Sequence, residues 1–399
     1  MNDLKHDILI IGAGVVGLTS AISLHLKGFS VGVITNRPVN QKNSKTLSPV
    51  VYALNRPSEE FLKKLKLWDN LEAKDYDHVL IWDSFHKEEV LFSGTDCAEP
   101  NLGHIVEDQK LMFSCLKSIK QYKIPIYIDE TLSAIKDSKT HKIIQAEKKT
   151  YSAKLIIGAD GKQSWLREQL KLGYVADDYG QTALVGLIKH QSPHFNTARQ
   201  RFLPNATIAL LPTKDPLHSA MIWSLPSDEA GELKKDNKKT FANHLETYWH
   251  GRMGKMSLES TLMHYELSSL HARKYGTPGA IILGDAAHVI HPLAGQGLNL
   301  GLADVMTLAE MAGQFDLSSK ALLEAYTEKR HLDNIATLKA MDFFQLLFWP
   351  KHPLAVRMRA VGMRVLDALT PLKRQISLFA LGYRPDVSFL ESLLERLKK

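Results

Sequence analysis

The chain has 399 residues, of which 44% are hydrophobic and 23% charged, as is typical of a soluble globular protein with two or three packed units. Its two cysteines, Cys97 and Cys115, have neither CxxC spacing nor a matching histidine cluster, which argues against a disulfide framework and against a metal site. The 50 Lys and Arg residues outnumber the 43 Asp and Glu residues, giving a formal net charge of +7. This mild excess could favour anionic surfaces, but no RNA-binding or helix-turn-helix signature accompanies it, so nucleic acid is not expected as a partner.

The N-terminal sequence predicts a cytoplasmic protein. Its apolar run, Ile8–Ile11, is four residues long before glycine interrupts it. That is too short for a signal peptide or a membrane span.

The first predicted unit is a βαβ unit, DILIIGAGVVGLTSAISLHLKGFSVGVIT. Gly12, Gly14 and Gly17 form GxGxxG between its first strand and its helix, with Ala13 and Val15 in the same turn. In this context the glycines give a tight turn, close approach of a pyrophosphate, and close packing of helix on strand. We therefore predict a dinucleotide site, in preference to a purely structural turn.

The tip of the second strand lacks the acid that usually holds the ribose hydroxyls of the nucleotide. Thr35 stands in its place, followed by Asn36. Either side chain could bond a hydroxyl, although a neutral group does so more weakly than a carboxylate.

The next segments alternate in type. PSEEFLKKLKLWDNL and QKLMFSCLKSIKQY have the apolar spacing of amphipathic helices. Between about Thr182 and Leu270, four β-rich runs predict an antiparallel sheet: TALVGLIKH, TIALLPT, SAMIWSLP and LMHYELSS. After Gly301 the chain is predicted to be almost wholly helical.

A second glycine-rich turn, GDAAHVIHPLAGQGLNLG, spans Gly284–Gly301. The strand-like run AIIL delivers Asp285 to it, and Gly295 and Gly297 expose backbone N–H groups at the start of a helix from about Leu298. One long ligand would explain both turns, with a pyrophosphate at the first and a planar ring at the second. The positive end of the helix would stabilise a reduced, anionic flavin.

Several side chains of this turn have two interpretations. His288 and His291 could be acid–base groups, but a structural role is favoured because a ring nitrogen can hold a loop carbonyl in a strand-to-helix connection. Asp285 could cap a helix or contact a ligand, and the neighbouring glycines favour the ligand. Pro292 stiffens the loop.

Three stretches together resemble the fingerprints of the FAD-dependent aromatic hydroxylases: GAGVVG, IIGADGKQSWLREQL at 156–170, and GDAAHVIHPLAGQGLNLGLAD at 284–304. Further stretches are similar to the ubiquinone-biosynthesis hydroxylases, which act on polyprenylated phenols. They are VVYALNRPSEEFLKKLKLWDN, PNLGHIVEDQKLM, DYGQTALVG, QRFLPNATIALLP and MIWSLP.

The resemblance implies an FAD-dependent monooxygenase with NAD(P)H as a transient co-substrate. O2 would add to the reduced flavin, and the C4a-hydroperoxyflavin would hydroxylate the ring of a polyprenylated phenol. The cofactor carries this chemistry, so no catalytic side chain is assigned. Two rival functions stay open: a flavin-poor scaffold subunit of a ubiquinone-synthesis complex, and a flavin hydroxylase of a soluble aromatic acid.

The resemblance also assigns cofactor-binding residues. Asp160 would lie near the pyrophosphate and the nicotinamide entry, and Asp285 would bond the ribityl and phosphate part. At position 50 the family's arginine is replaced by Val50. The full predicted set is Gly12, Ala13, Gly14, Val15, Gly17, Thr35, Asp160, Gly284, Asp285, Pro292, Gly295, Gly297, Leu298 and Asn299.

The expected fold is α/β, with a Rossmann-like FAD-binding domain, an interleaved antiparallel substrate domain and C-terminal helices. The predicted boundaries are 1–77, 101–177 and 272–345 for the FAD-binding domain, 78–100 and 178–271 for the substrate domain, and 346–399 for the helical region.

The C-terminal segment is basic and apolar. Between Lys351 and Arg384 there are seven Lys or Arg residues and one acidic residue, Asp367. This pattern suits either a packed helical face or a peripheral membrane contact on the inner face, as a polyprenyl substrate would require. The run MDFFQLLFWP at 341–350 is either helix core or an apolar wall for the substrate. Other ubiquinone-biosynthesis proteins are left open as partners.

Overall fold

The structure is a computed structural model that describes residues 3–39, 47–83, 89–128, 130–138, 140–147, 149–291, 297–348, 362–363, 367 and 369–383, with the backbone alone at 340–348.

The strands are, in chain order, β1 Asp3–Ile11, β2 Val31–Thr35, β3 Val51–Leu54, β4 Lys74–Asp75, β5 His78–Asp83, β6 Glu89–Ser93, β7 His104–Glu107, β8 Ile126–Ile128, β9 Leu132–Asp137, β10 Lys142–Ala146, β11 Thr150–Gly158, β12 Tyr174–His190, β13 Thr197–Leu203, β14 Ala206–Pro212, β15 His218–Pro226, β16 Met256–Leu258, β17 Met263–Ala272, β18 Gly276–Thr277, β19 Ala280–Ile282 and β20 His288–Val289.

The α-helices are α1 Val15–Leu26, α2 Arg56–Lys64, α3 Asp108–Gln121, α4 Trp165–Gln169, α5 Ser227–Leu233, α6 Lys238–Trp249, α7 Gly297–Ala312, α8 Lys320–Phe348 and α9 Thr370–Ala380. Short 3-10 turns lie at Trp68–Asn70, Gly94–Cys97 and Gly284–Ala286.

An eight-stranded sheet carries the predicted βαβ unit. Its main order is β18-β19-β11-β1-β2-β8, and β1 pairs in parallel with both β2 and β11. The strand β1 has a near-continuous apolar run, and Ile8, Leu9 and Ile10 are completely buried, as expected of a strand covered on both faces. The carboxyl ends of β1, β2, β8 and β11 consequently meet at one edge.

A nine-stranded sheet contains all four β-rich runs predicted between Thr182 and Leu270. Its order is β20-β17-β12-β15-β14-β13-β5-β6, with β16 on β12. One face packs on α6 through the fully buried side chains of Trp223, Phe241 and Trp249. The β13–β5 pair is parallel, unlike the antiparallel pairing expected, because β5 comes from an earlier part of the chain and joins the sheet edge beside β13.

A small third sheet has the strand order β3-β7-β4. The helix predicted from PSEEFLKKLKLWDNL follows β3 in the chain and is shorter than expected. The helix α2 ends at Lys64, and Lys66 has a left-handed φ of 57° before the 3-10 turn Trp68–Asn70. The break lets Leu65 and Leu67 both enter the core.

The C-terminal segment packs where the structure describes it. Met363 and Leu381 are buried in a cluster with Phe92 and Phe202, on the edge of the nine-stranded sheet. This agrees with the packed interpretation for α9, while Arg357, Arg359 and Arg364 lie outside the described residues. Within the described helices, none is both long enough and apolar enough to cross a bilayer.

Candidate cofactor site

The first glycine turn is formed by close backbone packing. Gly12 has a φ of 110°, and a Cβ on it would lie 2.1 Å from the carbonyl oxygen of Ala159. A Cβ on Gly17 would lie 2.1 Å from the carbonyl oxygen of Gly12. Any side chain at either position would collide with backbone, so the strand, turn and helix can approach this closely only with glycine.

The middle glycine faces open space. Gly14 is the N-cap of α1, with no side-chain cap, and a Cβ on it would meet nothing within 4 Å. Ala13 precedes it and Val15 begins the helix. The first N–H groups of α1 therefore have no intrahelical acceptor and point to a space that a diphosphate can fill.

A cleft of about 990 Å³ opens at this edge of the sheet. Gly12, Ala13, Gly14, Thr35 and Asp160 line it, so it brings together predicted residues from three separate parts of the chain.

Apart from Asp160, the charged side chains of the cleft were missed by sequence reasoning. Among its described lining residues the acids are Asp108, Glu130 and Asp160, and the single cation is Arg37. A diphosphate would add negative charge to this acidic cleft, so the guanidinium and the N-terminus of α1 are the groups that offset it.

Thr35 uses its hydroxyl locally. Its Oγ1 accepts a hydrogen bond from the backbone N–H of Arg37 at 3.2 Å and donates to the carbonyl of the same residue at 3.4 Å. Thr35 is also 92% buried, since only 8% of its surface is exposed. The hydroxyl closes the turn after β2, and this leaves the place of the missing acid without a carboxylate.

The two carboxylate oxygens of Asp160 lie in different surroundings. Its Oδ2 accepts from the backbone N–H of Leu166 at 3.2 Å, at the start of α4. Its Oδ1 is buried with no hydrogen-bond partner and lies in the wall of the cleft. Burial raises the pKa of this carboxyl above its ordinary value, despite hydrogen bonds from Ser164 and Leu166 that oppose the shift.

The second turn lies directly against the first helix. A Cβ on Gly284, whose φ is 55°, would lie 3.3 Å from the side chain of Val16, and one on Gly301 would lie 2.7 Å from the same valine. Val16 thus separates the two turns by one side chain, and a single elongated ligand can reach both.

Asp285 faces outward from this turn. Its side chain is exposed yet lies in a concave region surrounded by protein, and no hydrogen bond joins its carboxyl to another described residue. It does not cap the 3-10 turn, whose N-cap is Leu283. Burial raises the pKa of Asp285, and the charge of His288 opposes that shift. The geometry fits a ligand contact.

A buried polar network, here called the Asp304 network, holds the second turn from behind. Asp304 is completely buried and accepts from the backbone N–H of Gly284 at 2.9 Å, from His288 Nε2 at 2.6 Å and from Arg330 Nε at 2.7 Å. Asn334 bonds Arg330 at 2.8 Å. Although burial opposes it, His288 and Arg330 hold the pKa of Asp304 well below its ordinary range.

Both histidines of the turn bond other side chains of the protein, which agrees with the structural role favoured from the sequence, although these partners are not loop carbonyls. His288 bonds a carboxylate of α7 rather than a loop carbonyl. His291 is 1% exposed, bonds the side chain of Gln181 at 3.2 Å and meets the Tyr179 ring edge-on at 5.1 Å. These contacts leave both imidazoles buried in the protein.

The start of α7 follows the predicted position within one residue. The helix begins at Gly297, and Leu298 is half-buried beside the core of the eight-stranded sheet. Asn299 bonds the carbonyl of Ala53 at 2.8 Å and the N–H of Asn55 at 3.0 Å, so any ring contact of Asn299 comes through its backbone. Pro292 and Gly295 lie outside the described residues.

A tyrosine–aspartate pair lies between the two turns. The Tyr52 hydroxyl donates to Asp108 Oδ1 at 2.7 Å. Burial, and then the charge of Asp108, raise the pKa of Tyr52 well above its ordinary value, with a smaller contribution from Asp285. Burial and Asp108 also raise the pKa of Tyr265, which is 44% exposed on β17. Nucleotide cleft, second turn and nine-stranded sheet therefore meet here.

These residues fit FAD. Open space at Gly14, the uncapped start of α1 and the unpartnered Asp160 Oδ1 in the cleft match a bound dinucleotide, and Asp285 with the start of α7 matches the ring end. A group of acid, histidine and cysteine side chains suited to a metal ion is not found in the described part of the chain.

Comparisons with known proteins point the same way. The chain matches the FAD binding domain family over residues 5–339. It is 27% identical over 437 residues to "Ubiquinone biosynthesis monooxygenase COQ6, mitochondrial" of Homo sapiens, covering 95% of this chain and 93% of that protein. It is 28% identical over 394 residues to "3-demethoxyubiquinol 3-hydroxylase" of Escherichia coli K12, covering 96% of this chain and 100% of that protein.

Solved structures share the fold. The p-nitrophenol 4-monooxygenase PnpA from Pseudomonas putida DLL-E4 superimposes with a TM-score of 0.76 at 16% sequence identity, covering 97% of this chain and 100% of that one.

Proposed function

This chain belongs to the FAD binding domain family and is an FAD-dependent monooxygenase, and from that premise we propose that it hydroxylates the aromatic ring of a polyprenylated phenol in ubiquinone biosynthesis, using NAD(P)H and O2. The named relatives, which it matches along almost their whole length, support this substrate class. So does the aromatic and apolar surface of β17, where Met263 and Tyr265 are exposed on a strand whose other end pairs with β20 of the second turn.

One observation carries the proposal. Gly284 and Gly301 both pack on Val16, the second residue of α1, so the ring turn lies directly against the helix whose start forms the diphosphate turn. FAD is a ligand with a diphosphate and a planar ring at the corresponding ends.

When bound, FAD supplies the redox chemistry with O2 and NAD(P)H. The chain's own residues hold and shield it. The diphosphate would be held by the start of α1 together with Gly12, Gly14 and Gly17. The carboxylate of Asp285 would accept a hydrogen bond from a ribityl hydroxyl. The Asp304 network fixes the backbone of the second turn, and β17 forms a wall against which an aromatic substrate can be oriented.

Substrate-dependent turnover tests the proposal. A short-chain prenylated phenol in detergent should stimulate NAD(P)H oxidation and give a product heavier by one oxygen atom. A hydroxybenzoate without detergent should not. The reverse result would assign a soluble aromatic acid as the substrate instead.

The second candidate is the flavin-poor scaffold subunit. The replacements at Thr35 and Val50 favour it, because an acid and an arginine that usually contact the cofactor are missing. The visible spectrum of the purified protein separates the two. Stoichiometric flavin bands would eliminate the scaffold, and a protein that stays colourless in excess FAD would eliminate the monooxygenase.

We also propose that the basic C-terminal segment contacts the membrane in which a polyprenylated phenol resides. Replacing Arg357, Arg359 and Arg364 together by glutamine should reduce co-sedimentation with anionic liposomes. Unchanged co-sedimentation would refute this contact.

A further inference from the structure

A chain that binds FAD usually has a carboxylate that accepts hydrogen bonds from the adenosine ribose. In this chain the usual position of that carboxylate holds a neutral residue. The acid normally stands at the tip of the second strand. Here Thr35 stands there, and its hydroxyl is engaged with the backbone of Arg37.

The neighbouring strand provides a carboxylate at the same edge. β8 pairs in parallel with β2, with Thr35 opposite Ile128. Two residues beyond Ile128, the backbone N–H of Glu130 donates to the carbonyl of Thr35 at 3.4 Å. Glu130 is therefore fixed directly beside the position from which the acid is missing.

Glu130 also belongs to the same cleft. It lines the cleft with Gly12, Gly14 and Thr35, although only 7% of its surface is exposed. Its Oε1 lies 3.0 Å from the Lys149 ammonium. A buried carboxylate requires such a partner, and it retains further acceptor sites because two oxygens offer about four lone-pair positions.

We propose that Glu130 accepts hydrogen bonds from the adenosine ribose of FAD and takes the place of the acid missing at Thr35. The inference rests on the proposed placement of FAD across the two turns. Lys149 is a positioning residue, because it holds the carboxylate without reaching the ribose.

A purely structural role is the competing explanation. The Glu130–Lys149 ion pair could serve just to fasten the segment before β9 to the turn between β10 and β11, within the eight-stranded sheet. Removing either partner would then lower the stability of the flavin-free protein, but neither change would alter how the protein distinguishes ligands that differ at the ribose.

The test is a binding cycle with two ligands, FAD and its analogue lacking the adenosine 2′-hydroxyl, measured by calorimetry or flavin fluorescence. Wild-type protein should prefer FAD about tenfold, since a hydrogen bond to a charged group has this order of effect. Glu130→Gln should reduce the preference to less than about threefold. Lys149→Met should retain most of it while lowering the unfolding temperature without flavin.

Two further variants keep the test decisive. If Glu130→Gln fails to fold, Glu130→Asp retains the charge for Lys149 but shortens the side chain, and it should also lose the preference. Adding Thr35→Glu to Glu130→Gln should restore it.

Equal binding of both ligands by wild-type protein, or full discrimination by Glu130→Gln, would overturn the inference. These results differ from failure of the proposed function, in which wild-type protein binds neither ligand.

Discussion

The two turns that face the cofactor are built in different ways. The first, Gly12–Gly17, is shaped by backbone packed on backbone. The second, Gly284–Ala286, is held by the Asp304 network, whose side chains come from β20, α7 and α8. The difference teaches that one turn follows from glycine spacing within six consecutive residues and needs only backbone, that of Ala159, from elsewhere, whereas the other depends on side chains that are distant in the sequence.

The largest expected effect concerns the second turn. Asp304→Asn removes the charge that compensates the Arg330 guanidinium, which is 5% exposed. Breaking a buried ion pair from one side should lower the free energy of unfolding by about 3 to 5 kcal/mol in urea titrations. The control is Asp333→Asn, because Asp333 pairs with the same arginine but is 43% exposed, and it should cost less than about 1 kcal/mol. Equal effects would contradict the account of the second turn.

The first turn is tested by a matched pair of variants at two of its glycines. Gly12→Ala places a methyl group against the Ala159 carbonyl at a φ of 110° and should cost about 2 to 4 kcal/mol of stability. Gly14→Ala meets open space and has a φ of −77°, so it should leave stability within about 0.5 kcal/mol. It should nevertheless weaken FAD binding by more than about tenfold, because the methyl group occupies the diphosphate space. Unaltered FAD affinity in Gly14→Ala would place the diphosphate elsewhere.

A smaller effect should separate ligand contact from support in the second turn. Asp285→Asn should weaken FAD binding by about tenfold, since one charge-assisted hydrogen bond becomes neutral, with little change in stability without flavin. Asp228→Asn on the exposed start of α5 is the control and should leave the affinity unchanged. An Asp285→Asn protein that loses stability but keeps its affinity would show that Asp285 is structural.

The smallest expected effect is the pH dependence of stability that comes from His271, which pairs with His288 of the second turn. Burial, and then the charges of His331 and His288, lower the pKa of His271 from 6.5 to about 4. As pH falls from 6.5, the unfolded chain takes up this proton first, so the stability present above pH 6.5 is lost as pH falls through about 4. His271→Gln should therefore make the stability curve shallower by at most about 1.4 kcal/mol per pH unit in this window. An unchanged slope would show that folding does not lower the pKa of His271.

The same contrast explains what could be predicted from the sequence. The βαβ unit, the first turn, Asp285 and the start of α7 follow local rules of glycine spacing and strand–helix order, and the structure places them as expected. The resemblance to ubiquinone-biosynthesis hydroxylases is confirmed by the comparisons. The cofactor roles of the individual residues and the domain boundaries stay predictions.

What the sequence could not give depends on tertiary contacts. Asp304 and Arg330 look like ordinary helix residues until α7 and α8 pack together. Glu130 follows a three-residue strand, and no sequence motif surrounds it. Its proposed contact with the ribose is suggested only by its position beside Thr35 in the structure. The break of α2 after Lys64 serves the burial of two leucines, which outweighs the helical periodicity.

A crystal structure of the FAD complex tests the central claim most directly. The diphosphate should lie on the N–H groups at the start of α1, above Gly14, and the isoalloxazine should lie against Asp285 and the start of α7. FAD bound at another place, or a cleft at Gly14 filled by protein side chains in the presence of saturating FAD, would contradict it.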